Sequence, residues 1–260
     1  MTEVARPLAL VTGGWRRIGA AIARALAGAG WDLALHAHST NTFDAALAAE
    51  LEALGAAVHP LAADLADGAA VSRLPIEAMA LGGRAPMLLV NCAALFREDT
   101  IMTLSASALD QHLAVNLAAP VLLTQAMAAL LPDSQTQGGA ASVVHILDQR
   151  VLNPVPDQMS YTLSKQALFA AVRTLARSLA PRLRVNAVAP GLTLPTPDYS
   201  ESQWQRLTAM MPLERLADPA EIAEAVVFLA GARAVTGQTI FVDGGAHLES
   251  YARDFVYLET

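Results

Sequence analysis

The sequence predicts an α/β fold, a doubly wound parallel β-sheet flanked by helices on both faces. Three observations carry that expectation. Short apolar runs alternate with longer helical patterns, the strand-like runs are continuous rather than alternating, and a glycine turn joins the first run to the first helix. Continuous apolar strands are buried on both faces, and repeated β-α units with right-handed crossovers give a parallel sheet.

The elements follow in order. Residues 8–11 form a strand and 18–29 a helix; 33–36 form a strand and 41–54 a helix. Further strands fall at 58–62, 87–90, 142–147, 184–188 and 240–242. Ser105 starts a helix through Leu109, Leu113 and Leu117, and Asp218-Pro219 supplies an N-cap and first residue for 220–230. Segments 134–139 and 191–200 read as loops, the second holding Pro195 and Pro197. The apolar stretch 113–131 is interrupted by Asn116, Pro120, Thr124 and Gln125. A membrane span needs about 20 mostly apolar residues, so this stretch reads as a doubly buried helix. No repeat or strong linker is visible, so one domain over 1–260 is expected.

Composition narrows the function. Hydrophobic residues make up 54% of the 260 and charged ones 16%, which supports a large core and excludes disorder as the main state. Seventeen Lys and Arg against 24 Asp and Glu give a net charge of -7, the opposite of a nucleic-acid-binding balance. A lone cysteine, Cys92, excludes an internal disulfide framework and fits a reducing compartment. The first residues show no secretory signal. A cytoplasmic location is expected.

The first strand runs into Thr12-Gly13-Gly14-Trp15-Arg16-Arg17-Ile18-Gly19. Such a turn brings backbone N–H groups and the positive end of a helix against a phosphate. Gly13 permits the turn and Gly19 a close helix–sheet approach. Arg17 stands where a glycine is expected and offers a donor fork to a pyrophosphate or a substrate carbonyl. The second strand ends His36-Ala37-His38-Ser39 without the acid that selects NAD. Arg16, His38 and Ser39 suit a 2′-phosphate, which favours NADP. No metal site is expected, since His36 and His38 have no third ligand nearby in sequence.

Downstream, the strand through His145 and Ile146 leads to Asp148, and thirteen positions later comes Tyr161-Thr162-Leu163-Ser164-Lys165. Tyr and Lys at i, i+4 share a helix face. An ammonium beside a phenol lowers the tyrosine pKa, as a proton donor to a reduced carbonyl or imine requires.

Taken together, Thr12-Gly13…Gly19, Asp64-Leu65, Asn91-Cys92-Ala93-Ala94, Asn116, Tyr161…Lys165, Pro190-Gly191 and Val242-Asp243-Gly244-Gly245 resemble the short-chain dehydrogenase/reductase family along nearly the whole chain. That resemblance implies a single Rossmann-like domain with hydride transfer from a nicotinamide cofactor. It places Asp64 and Leu65 near the adenine, Asn91 and Ala93 along the cofactor, and Lys165 on the nicotinamide ribose. Tyr161 would be the acid, and Asn116 would hold a water in a proton relay. Pro190, Gly191 and Leu192 would border the nicotinamide, with Thr193 reaching the pyrophosphate.

Arg17 in the turn, Asp148 in place of the usual serine, and Phe96 five residues after Asn91 resemble the pteridine reductase branch, which includes dihydromonapterin and dihydrofolate reductases of this fold. A carboxyl group can pair with or protonate ring nitrogens, Phe96 can stack on a flat ring, and Arg17 can reach both pterin oxygen and cofactor phosphate. The branch usually carries an arginine between the histidine and serine after the second strand, which His38-Ser39 lacks. The covering loop 191–211 contains no residue that specifies the pterin substituent.

In the family, the chain end commonly reaches an adjoining subunit. Here it holds His247, Tyr251, Arg253, Phe255 and Tyr257, with Arg253 or Tyr257 the candidates for a neighbour's pocket. The apolar helices 115–130 and 163–179 suggest subunit contacts, and a homotetramer or dimer is expected. The leading expectation is an NADPH-dependent reductase of a dihydropteridine C=N bond. The alternatives are a carbonyl or 3-oxoacyl reductase of the same family and a catalytically silent NADP-binding regulator.

Overall fold

A computed structural model of the chain describes residues 5–131, 140–195 and 199–258. Seven parallel strands form one sheet: β1 (Leu8–Thr12), β2 (Asp32–Ala37), β3 (Val58–Ala62), β4 (Leu88–Asn91), β5 (Ala141–Ile146), β6 (Leu183–Pro190) and β7 (Thr239–Val242), in the spatial order 3-2-1-4-5-6-7. The helices are α1 (Arg17–Gly28), α2 (Ala45–Ala53), α3 (Gly68–Gly82), α4 (Ala106–Leu113), α5 (Ala119–Leu130), α6 (Met159–Leu179), α7 (Glu201–Met210) and α8 (Pro219–Gly231).

Alternate residues of each strand feed two apolar layers, which is why the runs are continuous. Ala9, Val11, Leu33 and Leu35 pack with Ile22 and Leu26 of α1, Leu47 of α2 and Val226 of α8. Leu8, Leu10, Val143 and Val185 pack on the other face with Leu74 of α3, Leu123 and Met127 of α5 and Ala176 of α6. Each fully buried Val, Leu, Ile or Met among them contributes about 1.5–3 kcal/mol. Pro60 lies in edge strand β3, where a missing N–H is tolerated.

Both predicted caps are present. Ser105 accepts from the Ala108 N–H, and Asp218 with Glu221 forms a capping box on α8. Three expectations need correction. The helix expected over 41–54 begins only at Ala45, because Asp44 caps it by accepting from Ala46 and Leu47 N–H. α3 was not foreseen, since Pro75 interrupts its pattern; Asp67 caps it and Val71, Leu74 and Ala78 form its buried stripe. Within the expected covering loop, residues 201–210 are the helix α7, capped by Ser200.

The loop expected at 134–139 lies outside the described residues, as does Pro197. Ala106–Leu130 is one continuous helical run, long and apolar enough to cross a bilayer by length and composition. It is buried on one face rather than two: Asn116, Leu123, Thr124 and Met127 point inward, while Ala118, Gln125 and Ala129 are exposed.

The turn between β1 and α1 packs backbone directly against backbone. A Cβ on Gly19 would lie 2.0 Å from the Gly13 carbonyl oxygen. Gly28, at the exposed end of the same helix, has nothing within 4 Å of its Cβ position. Gly19→Ala is therefore expected to cost about 3 kcal/mol or more, from overpacking against backbone. Gly28→Ala should gain about 0.5–1 kcal/mol. Chemical denaturation of the two variants beside the parent chain checks both signs.

Candidate active site

In a parallel sheet all strands end on one edge, and most residues expected in the site sit at or just past a strand end there; Asn116 comes from a helical stretch and Tyr161 and Lys165 from α6. The strand order reverses between β1 and β4, the position where α/β sheets open a crevice. There the Gly13 Cβ position would sit 3.1 Å from the Ala93 Cα. Thr12 ties the two strands together: its Oγ1 accepts from the N–H groups of Cys92 (3.0 Å) and Ala93 (3.1 Å).

The start of α1 is left bare. It has no side-chain cap, unlike α2, α3, α4, α7 and α8, and no acid in its first turn, where α7 and α8 carry Glu201 and Glu221. Arg16 and Arg17 are exposed beside it, Arg17 with φ +52, and neither has an ion-pair or side-chain hydrogen-bond partner among the described residues. Unspent helix N–H groups flanked by two guanidinium groups suit a pyrophosphate. Ile18 packs its side chain on the core behind them. Along the crevice, the exposed His38 lies 3.8 Å from Asp64, next to Ser39, and the Leu65 side chain is buried in the opposite layer. Past β6, a Cβ on Gly191 would meet the Asp243 Cβ at 2.7 Å, so Pro190-Gly191-Leu192 lies directly against the Val242–Gly245 segment. Thr193 Oγ1 donates back to the Gly191 carbonyl at 2.9 Å.

The proton-transfer residues converge. Asp148 follows β5, and its Oδ2 accepts from the Tyr161 hydroxyl at 3.0 Å. Its Oδ1 accepts from the Arg150 backbone N–H (2.9 Å) and Nε (3.2 Å). Phe96 meets the Tyr161 ring edge-on at 4.8 Å while remaining 51% exposed, so it stands at the mouth above the pair.

The expectation that Lys165 lowers the tyrosine pKa is corrected. Burial and then the Asp148 carboxylate hold the Tyr161 phenol well above its ordinary range, against the opposing charge of Arg150. The Lys165 ammonium donates to the Ile146 carbonyl at 2.7 Å and lies 5.8 Å from the phenol ring centroid. Burial pushes Lys165 itself down to about 8, although Asp148 pulls the other way.

Asn116, expected to hold a water, has its side-chain amide bonded within the chain. Nδ2 spends both hydrogens, on the Leu95 carbonyl and Ser164 Oγ (each 2.9 Å), while Oδ1 accepts from Leu95 N–H at 2.7 Å. Ser164 donates on to the Tyr161 carbonyl at 2.6 Å. Asn116, in a π-helical stretch at Ala114–Ala118, thus fixes the start of α6 and the Leu95 segment. Such bulges recur at functional sites.

Sequence reasoning missed Arg150. It is buried, bonds Asp148, Gln158 (3.0 Å) and Asp254 (2.6 Å), and lies 5.4 Å from the Tyr161 ring centroid. Its spacing resembles no motif. At the chain end, Arg253 and Tyr257 bond Asp157 and Glu98 of their own chain.

Comparison with known proteins agrees with this geometry. The family model described as enoyl-(acyl carrier protein) reductase matches residues 14–247. Among solved structures, the FolM alternative dihydrofolate reductase 1 of Brucella canis, complexed with NADP, is 40% identical, covers 96% of this chain and 98% of that one, and superposes with a TM-score of 0.85. An uncharacterised oxidoreductase of Mycobacterium tuberculosis is 34% identical over 244 residues, 92% of this chain and 91% of its own. The 3-oxoacyl-[acyl-carrier-protein] reductase FabG of Staphylococcus aureus is 30% identical over 254 residues, 92% and 98% respectively.

Beneath the site, His145 is fully buried. Its Nδ1 lies 3.1 Å from Asn91 Nδ2, and burial first, with the Lys165 charge second, pushes its pKa from 6.5 down to about 3. The unfolded chain therefore binds this proton before the folded one does, and stability falls as pH drops from 6.5 toward 3, by roughly 1.4 kcal/mol per unit crossed. His145→Gln keeps a polar group beside Asn91 without titrating. Urea midpoints of the variant across that window should decline less steeply than the parent's, and equal slopes would contradict the assignment.

Proposed function

The chain belongs to the short-chain dehydrogenase/reductase family, and on that premise we propose that it is an NADPH-dependent reductase of a dihydropteridine-type C=N bond. The observation that carries the reading is the 3.0 Å contact between Asp148 Oδ2 and the Tyr161 hydroxyl. A carboxylate stands where a ketone-reducing member uses a neutral hydroxyl, and it suits a substrate rich in ring nitrogens and N–H donors. The NADP complex of the Brucella relative supports the cofactor, as do the bare start of α1, Arg16, Arg17 and the absence of an acid after β2.

Bound NADPH supplies the hydride. The chain's own residues do the rest. Arg16, Arg17 and the α1 N–H groups would bind the cofactor's phosphates; His38, Ser39, Asp64, Leu65, Asn91, Ala93, Pro190, Gly191, Leu192 and Thr193 would frame it, and Lys165 would hold its ribose. Phe96 covers one side of a flat ring, and Arg17 donates to its carbonyl oxygen. Because the Asp148 and Tyr161 oxygens are in hydrogen-bond contact, adjacent atoms of one ring edge can touch both. Tyr161, kept protonated by burial and by Asp148, gives its proton to the ring nitrogen as the neighbouring carbon is reduced. Asp148 accepts from the substrate's N–H groups and holds the ring edge in register. The outer faces of α5 and α6, with Leu163 exposed, support assembly into a homo-oligomer.

A second reading, reduction of a 3-oxoacyl thioester or other ketone, is favoured by the FabG relative. Steady-state assays with dihydrobiopterin, dihydromonapterin, dihydrofolate and a 3-oxoacyl thioester decide. Turnover of a dihydropteridine is expected, with Asp148→Ser lowering its kcat on the order of a hundredfold. Ketone turnover alone, unharmed by that substitution, would establish the second reading.

A further inference from the structure

Asp148 is the terminus of a buried chain of contacts that begins at the far end of the polypeptide. Arg150 grips Oδ1 of Asp148 and, through its terminal nitrogen, donates to Asp254 Oδ2 at 2.6 Å; the Arg150 and Asp254 side chains are 7% and 5% exposed. Its other terminal nitrogen donates to Gln158 Oε1 at 3.0 Å. Gln158 is fully buried in a left-handed conformation (φ +46) immediately before α6, three residues ahead of Tyr161.

Asp254 is itself fixed from three directions. Its backbone N–H donates to Asp157 Oδ2 at 2.8 Å, and its Oδ1 accepts from Val256 N–H at 3.0 Å. Arg253 pairs with both oxygens of Asp157 at 2.7–2.9 Å. Tyr257 donates to Glu98 Oε2 at 2.6 Å, while Glu98 Oε1 accepts from Gln158 Nε2 at 2.9 Å. The Phe255 side chain is buried against Leu207 and Met211 of the α7 region, and Gln203 of α7 donates to the Phe255 and Val256 carbonyls. The chain end thus joins the helix beside the crevice to the acid pair.

We propose that the C-terminal segment 253–257 is a positioning element of this enzyme's own site, acting through Asp254 and Arg150 to hold the Asp148 carboxylate against the Tyr161 hydroxyl. Arg150 is saturated on its inner side by Asp148 and on its outer side by Asp254. Removing the outer carboxylate leaves the guanidinium anchored on its outer side by Gln158 alone, so it shifts toward its remaining counter-charge and carries Asp148 off its line to Tyr161, and a misplacement of about 1 Å at reacting groups can cost a hundredfold in rate. Neither Arg150 nor Asp254 is assigned contact with substrate. They are positioning residues.

This rests on Asp148 and Tyr161 serving as the acid pair, and not on the substrate being a dihydropteridine. Asp254→Asn, Asp254→Glu and Arg150→Lys are assayed on whichever substrate class the parent enzyme reduces, so a wrong substrate class leaves the test intact. Asp254→Asn is expected to lower kcat ten- to a hundredfold, with KM for NADPH within about threefold of the parent, and Asp254→Glu to recover part of the loss. Should Asp254→Asn not fold, Arg150→Lys carries the same expectation. A folded variant with kcat within twofold of the parent overturns the proposal, as does a loss of kcat matched by an equal loss of NADPH affinity. If the enzyme reduces neither class, a crystal structure of Asp254→Asn decides. Asp148 turned out of hydrogen-bond reach of Tyr161 supports the proposal, and an unchanged 3.0 Å contact overturns it.

Discussion

The carboxylate of Asp148 is the interaction on which the rest depends. It lies between a buried guanidinium and a buried phenol, bonding Arg150 through one oxygen and Tyr161 through the other. Taking a carboxylate out of water is costly unless it is paired and hydrogen-bonded, and both conditions are met here. The same arrangement gives the site its chemical direction. A phenol that donates to a carboxylate keeps its proton, so Tyr161 stands as an acid before any substrate arrives.

The fold delivers these groups by simple means. Asp148 leaves the end of β5, Tyr161 opens α6, and α6 is fixed at its start by Ser164 to Asn116 and by Ser160, which bonds Asp99 through both its backbone N–H and its hydroxyl. The contact of Gly13 with Ala93 and the threonine tie at Thr12 close the sheet where the strand order reverses. The phosphate end and the proton end of the crevice are therefore built on one rigid edge. Lys165 belongs to that edge as well, bonded to the Ile146 carbonyl at the end of β5 rather than to the phenol.

Much of this was legible in the residues. Continuous apolar runs announce strands covered on both faces, and Ser105 and Asp218-Pro219 marked two helix starts, because those signals act over three or four residues. α3 stayed hidden because Pro75 breaks its pattern, and the start of α2 was misplaced because the Asp44 cap was overlooked. The residues of the acid pair could be named from their spacing, but not their electrostatics. Tyr161 and Lys165 share a helix face, yet the phenol is governed first by its burial and then by a carboxylate from another element, and the ammonium is drawn off to a strand carbonyl. Arg150 and Asp254 were invisible for the same reason: they are 104 residues apart, and only the fold brings them into contact.

The central claim is that burial and, beside it, the Asp148 carboxylate hold the Tyr161 phenol protonated. Ultraviolet difference titration of the free enzyme against Tyr161→Phe isolates this phenol from the other three tyrosines in the chain. Its ionisation is predicted to fall above the ordinary tyrosine value of about 10 and to move down when Asp148 is replaced by Asn. A phenol that ionises at or below that ordinary value, or one indifferent to Asp148→Asn, would contradict the account.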